Sequence, residues 1–97
     1  MTVRYTPQAR ADIEQIYRYL HERNSSGAEN VLRAIYAGAQ FIAEHPQKAP
    51  RTDNRMVRVK IVRRYRYKIF YRAVDDRTIE ILHVRHMSRR SWGGIRS

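Results

Sequence analysis

The chain of 97 residues has no cysteine. That excludes disulfides, thiolate metal sites and thiol nucleophiles together, and it suits a reducing compartment. Long apolar runs are also missing: nothing approaches the roughly 20 residues a bilayer span requires. The opening MTVRYTPQAR lacks the apolar core of a signal peptide. The expected location is therefore the cytoplasm, with no membrane partner. No internal repeat or low-complexity tract appears, and no pair of His or carboxylate residues has a spacing that argues for a metal. The most telling absence is acidic. Residues 56–72 hold seven Lys or Arg and no Asp or Glu.

What is present is a positive charge placed on one side of the sequence. The net charge is +11, but residues 1–48 carry six Lys/Arg against five Asp/Glu, whereas residues 49–97 carry fourteen against four. The second half is a cationic surface. Like charges at that density repel one another until something anionic covers them: nucleic acid, an acidic protein segment or a headgroup layer. A solvated basic face is the plainer reading. Seven cations without one acid favour a binding role, because their self-repulsion is otherwise uncompensated.

The length suits one domain, in which folding buries roughly 60 to 70% of the unfolded chain's surface. After a short extended segment at Val3 to Thr6, Thr6-Pro7 reads as an N-cap followed by the residue best tolerated at the first helical position. Ala9, Ile13, Ile16, Tyr17 and Leu20 form one apolar stripe of a first helix ending near Arg23-Asn24. Ser26-Gly27-Ala28-Glu29 fits a capping box, and Ala28, Val31, Leu32, Ile35, Ala39 and Ile42 give a second stripe that stops before His45-Pro46. So short a connection predicts an antiparallel helical hairpin over residues 6–45.

Residues 47–54 read as a loop. Beyond them, runs at 56–62, 65–74 and 78–84 are strand-like, separated by Arg63-Arg64 and by Asp75-Asp76-Arg77, and predict an antiparallel meander over 56–86. The fold class is α+β in the order β-α-α-β-β-β, one domain over residues 1–97. In RRYRYKIFYR, residues 63–72, cations and rings nearly alternate. Side-chain alternation then puts Val57, Val59 and Ile61 on one face with Tyr65, Tyr67, Ile69 and Tyr71, packed on the hairpin. The other face collects Arg58, Lys60, Arg66, Lys68 and Arg72 around Phe70. The aromatic residues of this run read as core or cross-strand pairs before base-stacking platforms. His83 and His86 fall on opposite faces of a regular strand, and each reads as a structural histidine first. The basic tail, 87–97, has little apolar periodicity and is expected to be mobile unless a partner covers it. Its Trp92 has no evident core to join and suits a contact anchor.

Taken with this element order, VRYTPQARADIEQIYRYL at the start and YKIFYRAVDDRTIEILHVRHMSRRSW at the end resemble the ParE/RelE superfamily of bacterial type II toxins. The resemblance spans nearly the whole chain and rests on Y-T-P-x-A-x-x-D-I-x-x-I, Pro46, Y-K-I-F-Y and I-L-H-V-R-H-x-x-R. It implies a toxin neutralised by an acidic, ParD-like antitoxin encoded with it, whose tail wraps the toxin. Operator DNA is then met only through the antitoxin complex, and no cofactor is implied. Two activities share the fold. The RelE branch cuts messenger RNA in the ribosome, for which Arg58, Lys60, Lys68, Arg85 and His86 are the candidates, as cations for phosphorane charge and as proton carriers. Against it, Met87 stands where those nucleases tend to carry arginine, and Trp92 near where many carry a catalytic Tyr or His. The ParE branch poisons DNA gyrase by contact, without chemistry of its own, and typically shows the His-x-x-Arg ending seen at His86 to Arg89. The resemblance favours the ParE branch. Its antitoxin- or target-binding residues are expected among Arg58, Lys60, Arg66, Lys68, Arg72, His86, Arg89, Arg90 and Trp92. A non-toxic nucleic-acid-binding module, resting on charge alone, is a third reading.

Overall fold

The computed structural model describes residues 1–88. Within them the chain runs β1 (Thr2–Tyr5), α1 (Pro7–His21), α2 (Ser25–Glu44), β2 (Arg58–Val62), β3 (Tyr67–Ala73) and β4 (Thr78–His86), the order expected from the sequence. Helix α1 begins as Thr6-Pro7 dictates: Thr6 is extended and its Oγ1 accepts the Ala9 N–H at 3.0 Å. Pro7 takes the first turn, where its missing N–H costs nothing. Helix α2 starts earlier than the capping box at Ser26 implied. Asn24 is the cap, its Oδ1 accepting the Gly27 N–H at 2.9 Å and the Ser26 hydroxyl at 3.1 Å. Asparagine caps as well as serine, and the earlier start adds helical residues to a very short connection. Beyond Glu44 the backbone leaves the helical region at His45, ahead of Pro46.

The sheet order is β1-β4-β3-β2. The meander β2-β3-β4 is antiparallel as expected, and β1 adds in parallel to β4. Both helices pack on one face, where Ile13, Val31, Ile35 and Ile42 meet Ile69, Tyr71, Ile79 and Ile81. Gly38 lets α2 come down on the sheet: a Cβ there would sit 2.9 Å from Ile69 Cδ1 and 3.3 Å from Val62 Cγ2.

The turn between β2 and β3 corrects the expected strand bounds and faces. Val62 pairs with Tyr67, so residues 63–66 form the loop, and Tyr65 and Arg66 belong to it. Arg66 is left-handed (φ 63°), with its N–H donating to Val62 O at 2.9 Å. It therefore does not stand on the sheet with Lys68 and Arg72. A loop with an even number of residues pairs even positions of one strand with odd positions of the next, and the observed register is Arg58↔Tyr71 and Lys60↔Ile69. Directly paired residues share a face. Arg58 and Lys60 thus lie on the helix-facing side with Tyr71 and Ile69, while Val59 and Ile61 join Phe70 and Lys68 on the other. The expected grouping of Val57, Val59 and Ile61 with the tyrosine series is reversed, because register moves a whole strand from one face to the other.

Strand β4 runs two residues further than its alternation suggested, to His86, and carries a register shift where Phe70 pairs with His83 but Tyr71 pairs with Ile81. Leu82 is the extra residue of that bulge. His83 and His86 lie beyond it on opposite faces, as expected.

Candidate functional site

Arg58 is bound into the fold. Its guanidinium donates to Ala49 O at 2.6 Å and Gln47 O at 3.2 Å, tying the loop after α2 to β2. Beside it the buried Tyr71 hydroxyl donates to Pro46 O at 2.7 Å. Burial raises the Tyr71 pKa, against the smaller lowering effects of Arg58 and the Ala49 backbone. Lys60 extends toward α2, its Nζ 4.4 Å from the centroid of the Phe41 ring, which in turn packs on His45 at 4.7 Å. Phe41, His45, Lys48, Lys60 and Arg63 line a groove of about 260 Å³ between the end of α2, the segment after it and β2.

On the opposite face Lys68 stands directly across from Arg85. Like charges in that position repel, and among the described residues the buried Arg85 Nε has no acceptor. Further along, Arg72 and Arg4 close on Glu80 from two strands at 3.0 and 3.1 Å. Glu80 is 13% exposed. Its carboxyl is held below the usual range, first by the hydrogen bond from Arg4 and also by Arg72. Arg72 is therefore engaged rather than a free cation of the basic face.

His86 is ordered by two contacts. Its ring meets Tyr67 edge-on at 5.1 Å, and its Nδ1 accepts the Ser88 N–H at 3.2 Å, with Ser88 Oγ at 2.9 Å. The neutral ring consequently carries its proton on Nε2. His86 pairs with Tyr67 and Arg58 with Tyr71, so about 13 Å of strand separates them at the usual rise per residue. The five residues that a nuclease would need are split: Arg58, Lys60 and His86 on one face of the sheet, Lys68 and Arg85 on the other.

The edge of β4 beyond the end of β1 shows a residue that lies off the apolar stripe of α1. β1 ends opposite Ile81, and from there side chains continue its ladder. Thr6 N–H donates to Ile81 O at 3.1 Å, Thr6 Oγ1 donates to Leu82 O at 3.1 Å, and Asp12 Oδ2 accepts the Val84 N–H at 3.0 Å. Asp12 Oδ2 also lies 3.2 Å from His83 Nδ1, the two side chains being 12% and 15% exposed. Burial pushes the His83 pKa down, with Arg85 adding to that and Asp12 opposing it. Asp12 falls in the first turns of α1, outside its apolar stripe; only the position of β4 shows what it bonds. His45, Lys48 and Arg63 were likewise missed as neighbours of Lys60, since they meet it only through the reversed face of β2.

Tyr67, Phe70 and Tyr71 are buried, as the core reading of the aromatic run expected. Tyr5 is half-buried on the other side of the hairpin, 5.7 Å edge-on from Tyr36, and burial raises its pKa to about 12. Arg89, Arg90 and Trp92 lie outside the described residues, as does most of the basic tail. Among the described residues no three His, Asp or Glu side chains gather as metal ligands, and no helix is long and apolar enough to cross a membrane.

Comparison with known proteins agrees with this architecture. No curated protein matches the chain. Among solved structures, a chain of the chromosomal ParDE TA system from P. aeruginosa superposes with a TM-score of 0.77 at 22% identity, covering 89% of this chain and 95% of that one. That likeness establishes the fold. The sequence profile described as "ParE toxin of type II toxin-antitoxin system, parDE" matches residues 3–91. The chain belongs to the ParE toxin family of type II toxin–antitoxin systems.

Proposed function

We propose that this protein is a single-domain cytoplasmic toxin that poisons DNA gyrase by contact, blocks replication and growth, and is neutralised by a cognate acidic antitoxin. The observation that carries the contact reading over ribonuclease chemistry is the division of the basic residues between two faces. Phosphodiester cleavage needs cations and proton carriers within hydrogen-bond reach of one phosphate. Here Lys68 and Arg85 are separated from Arg58, Lys60 and His86 by the sheet itself. The Arg58 guanidinium already serves two carbonyls, and the His86 Nδ1 lone pair is taken by Ser88. A surface that binds by charge has no such requirement for convergence.

Two measurements test this. Saturating protein added to purified gyrase should abolish supercoiling and trap cleaved DNA; normal supercoiling with no trapped cleavage refutes gyrase as the target. In cells induced without antitoxin, pulse-labelling should show DNA synthesis failing within minutes, before protein synthesis. Earlier failure of protein synthesis would restore the ribosome and messenger RNA as the target.

A further inference from the structure

The cations of this protein are not equally engaged. Arg58 serves two carbonyls, and Arg4 and Arg72 share Glu80. Among the described residues no ion pair or side-chain hydrogen bond holds Lys48, Lys60 or Arg63, which come together in the groove at the end of α2, and no Asp or Glu lines it. The negative pole of α2 amounts to about half a charge, so most of these three positive charges is left uncompensated. A second groove, of about 400 Å³ at the other end of β2, differs: Arg51 and Arg55 line it together with Asp75 and Asp76. The first groove also has rings. His45 is exposed and packs at 4.7 Å on Phe41, which is itself 37% exposed. Its lining holds no Ser, Thr, Asn or Gln, and the Tyr71 hydroxyl is taken by Pro46 O. No hydroxyl or amide side chain is left there to read a base edge or a 2′-hydroxyl.

Free cations beside an exposed ring, with no acid among them, match the needs of single-stranded nucleic acid: phosphates meet charge, and a base stacks on the ring whatever its identity. Duplex DNA fits less well, because its bases are already stacked on one another. An acidic peptide would satisfy the cations but leave the ring unused. Resting on the reading that this toxin acts on gyrase holding cleaved DNA, we propose that the groove binds the backbone of single-stranded DNA, so that the toxin grips the opened DNA as well as the enzyme. Lys48, Lys60 and Arg63 take the phosphates, and His45, backed by Phe41, takes a base. Binding is then independent of base sequence and no tighter for RNA.

The test is fluorescence anisotropy of a labelled oligothymidylate of about eight nucleotides, titrated with the full-length toxin in the absence of gyrase over a range of salt. K48Q/R63Q, both exposed positions, should weaken binding at least about tenfold and reduce the slope of log K against log salt by about 1 to 2. His45→Ala should weaken it about fivefold through lost stacking. R51Q/R55Q removes the same charge from the other groove and should change affinity less than about twofold. Equal losses in the two double variants would reduce the binding to diffuse charge and overturn the site, as would no binding at all. RNA bound about tenfold more tightly, or an oligoglutamate of equal charge bound as tightly as the DNA, would assign the groove to another partner and equally overturn it. Gyrase assays separate the two readings. K48Q/R63Q that loses the oligonucleotide yet traps cleaved DNA as the parent does overturns the groove's part in poisoning and leaves gyrase as the target; a parent toxin that binds the oligonucleotide in the groove but leaves gyrase untouched overturns the gyrase reading and keeps the site.

Discussion

The two flanks of the sheet solve the same problem in opposite ways. Where β1 stops short of β4, the freed main chain is taken up from within the molecule by Thr6 and Asp12 of the α1 entry. On the β2 side, Ile61 makes no backbone bond away from β3 among the described residues and stands beside cations instead. The first flank contributes to stability, while the second gathers Lys48, Lys60 and Arg63 in one groove. That contrast teaches that Thr6 and Asp12 at the start of α1 are structural, whereas these three cations do not bond across the β4 ladder.

The largest effect should come from opening the sealed flank. Asp12→Ala leaves the Val84 N–H without its acceptor and removes the partner of His83. Loss of a part-buried acceptor costs roughly 1–3 kcal/mol, measurable as a lowered urea midpoint at unchanged slope. Asp12→Asn, which keeps one acceptor oxygen, should cost less. Thr6→Ala removes both the cap of α1 and the bond to Leu82, with an expected loss of about 1 kcal/mol.

The same flank should show a pH dependence. The His83 pKa is lower in the folded protein than its ordinary value, so the unfolded chain takes up the proton first. The stability held by neutral His83 is complete above about pH 6.5 and is lost as pH falls through the folded-state pKa. Urea midpoints between pH 7 and 5 should fall, and His83→Gln should flatten that part of the profile. A slope unchanged by His83→Gln would assign it to another group.

On the open flank the smallest stability effect is expected where the functional effect is large. Arg63→Glu alters an exposed loop cation and should shift unfolding free energy by less than about 0.5 kcal/mol, while antitoxin affinity drops. Destabilisation comparable to that of Asp12→Ala would mean that both flanks are structural, and the contrast would fail.

Much of the fold was legible because its determinants are local. The Thr6-Pro7 start, the apolar stripes and the Pro46 stop each depend on residues within a turn or two of one another, as helical hydrogen bonds themselves do. Even the error at Ser26 is local, a competition between two good caps two residues apart. The strands were legible as strands but less so as surfaces. Tyr67, Ile69 and Tyr71 were placed correctly on the helix-facing side, since their alternation is unambiguous. Val59 and Ile61 were placed on the wrong side relative to them, which misassigned Arg58 and Lys60.

By itself, then, the sequence determined the absence of cysteine chemistry, the element order, the concentration of cations after residue 48 and the motifs of a ParE family member. The tertiary structure decided which cations share a face, that Arg58 and Arg72 are engaged, and that Asp12 and Thr6 complete the β4 ladder. The physical reason is the distance over which each is set. Helices and charge density are properties of neighbouring residues. Register depends on a loop held by Arg66 in a left-handed conformation and on groups, such as Asp12 and Val84, that meet only after about 70 residues of intervening chain have folded between them.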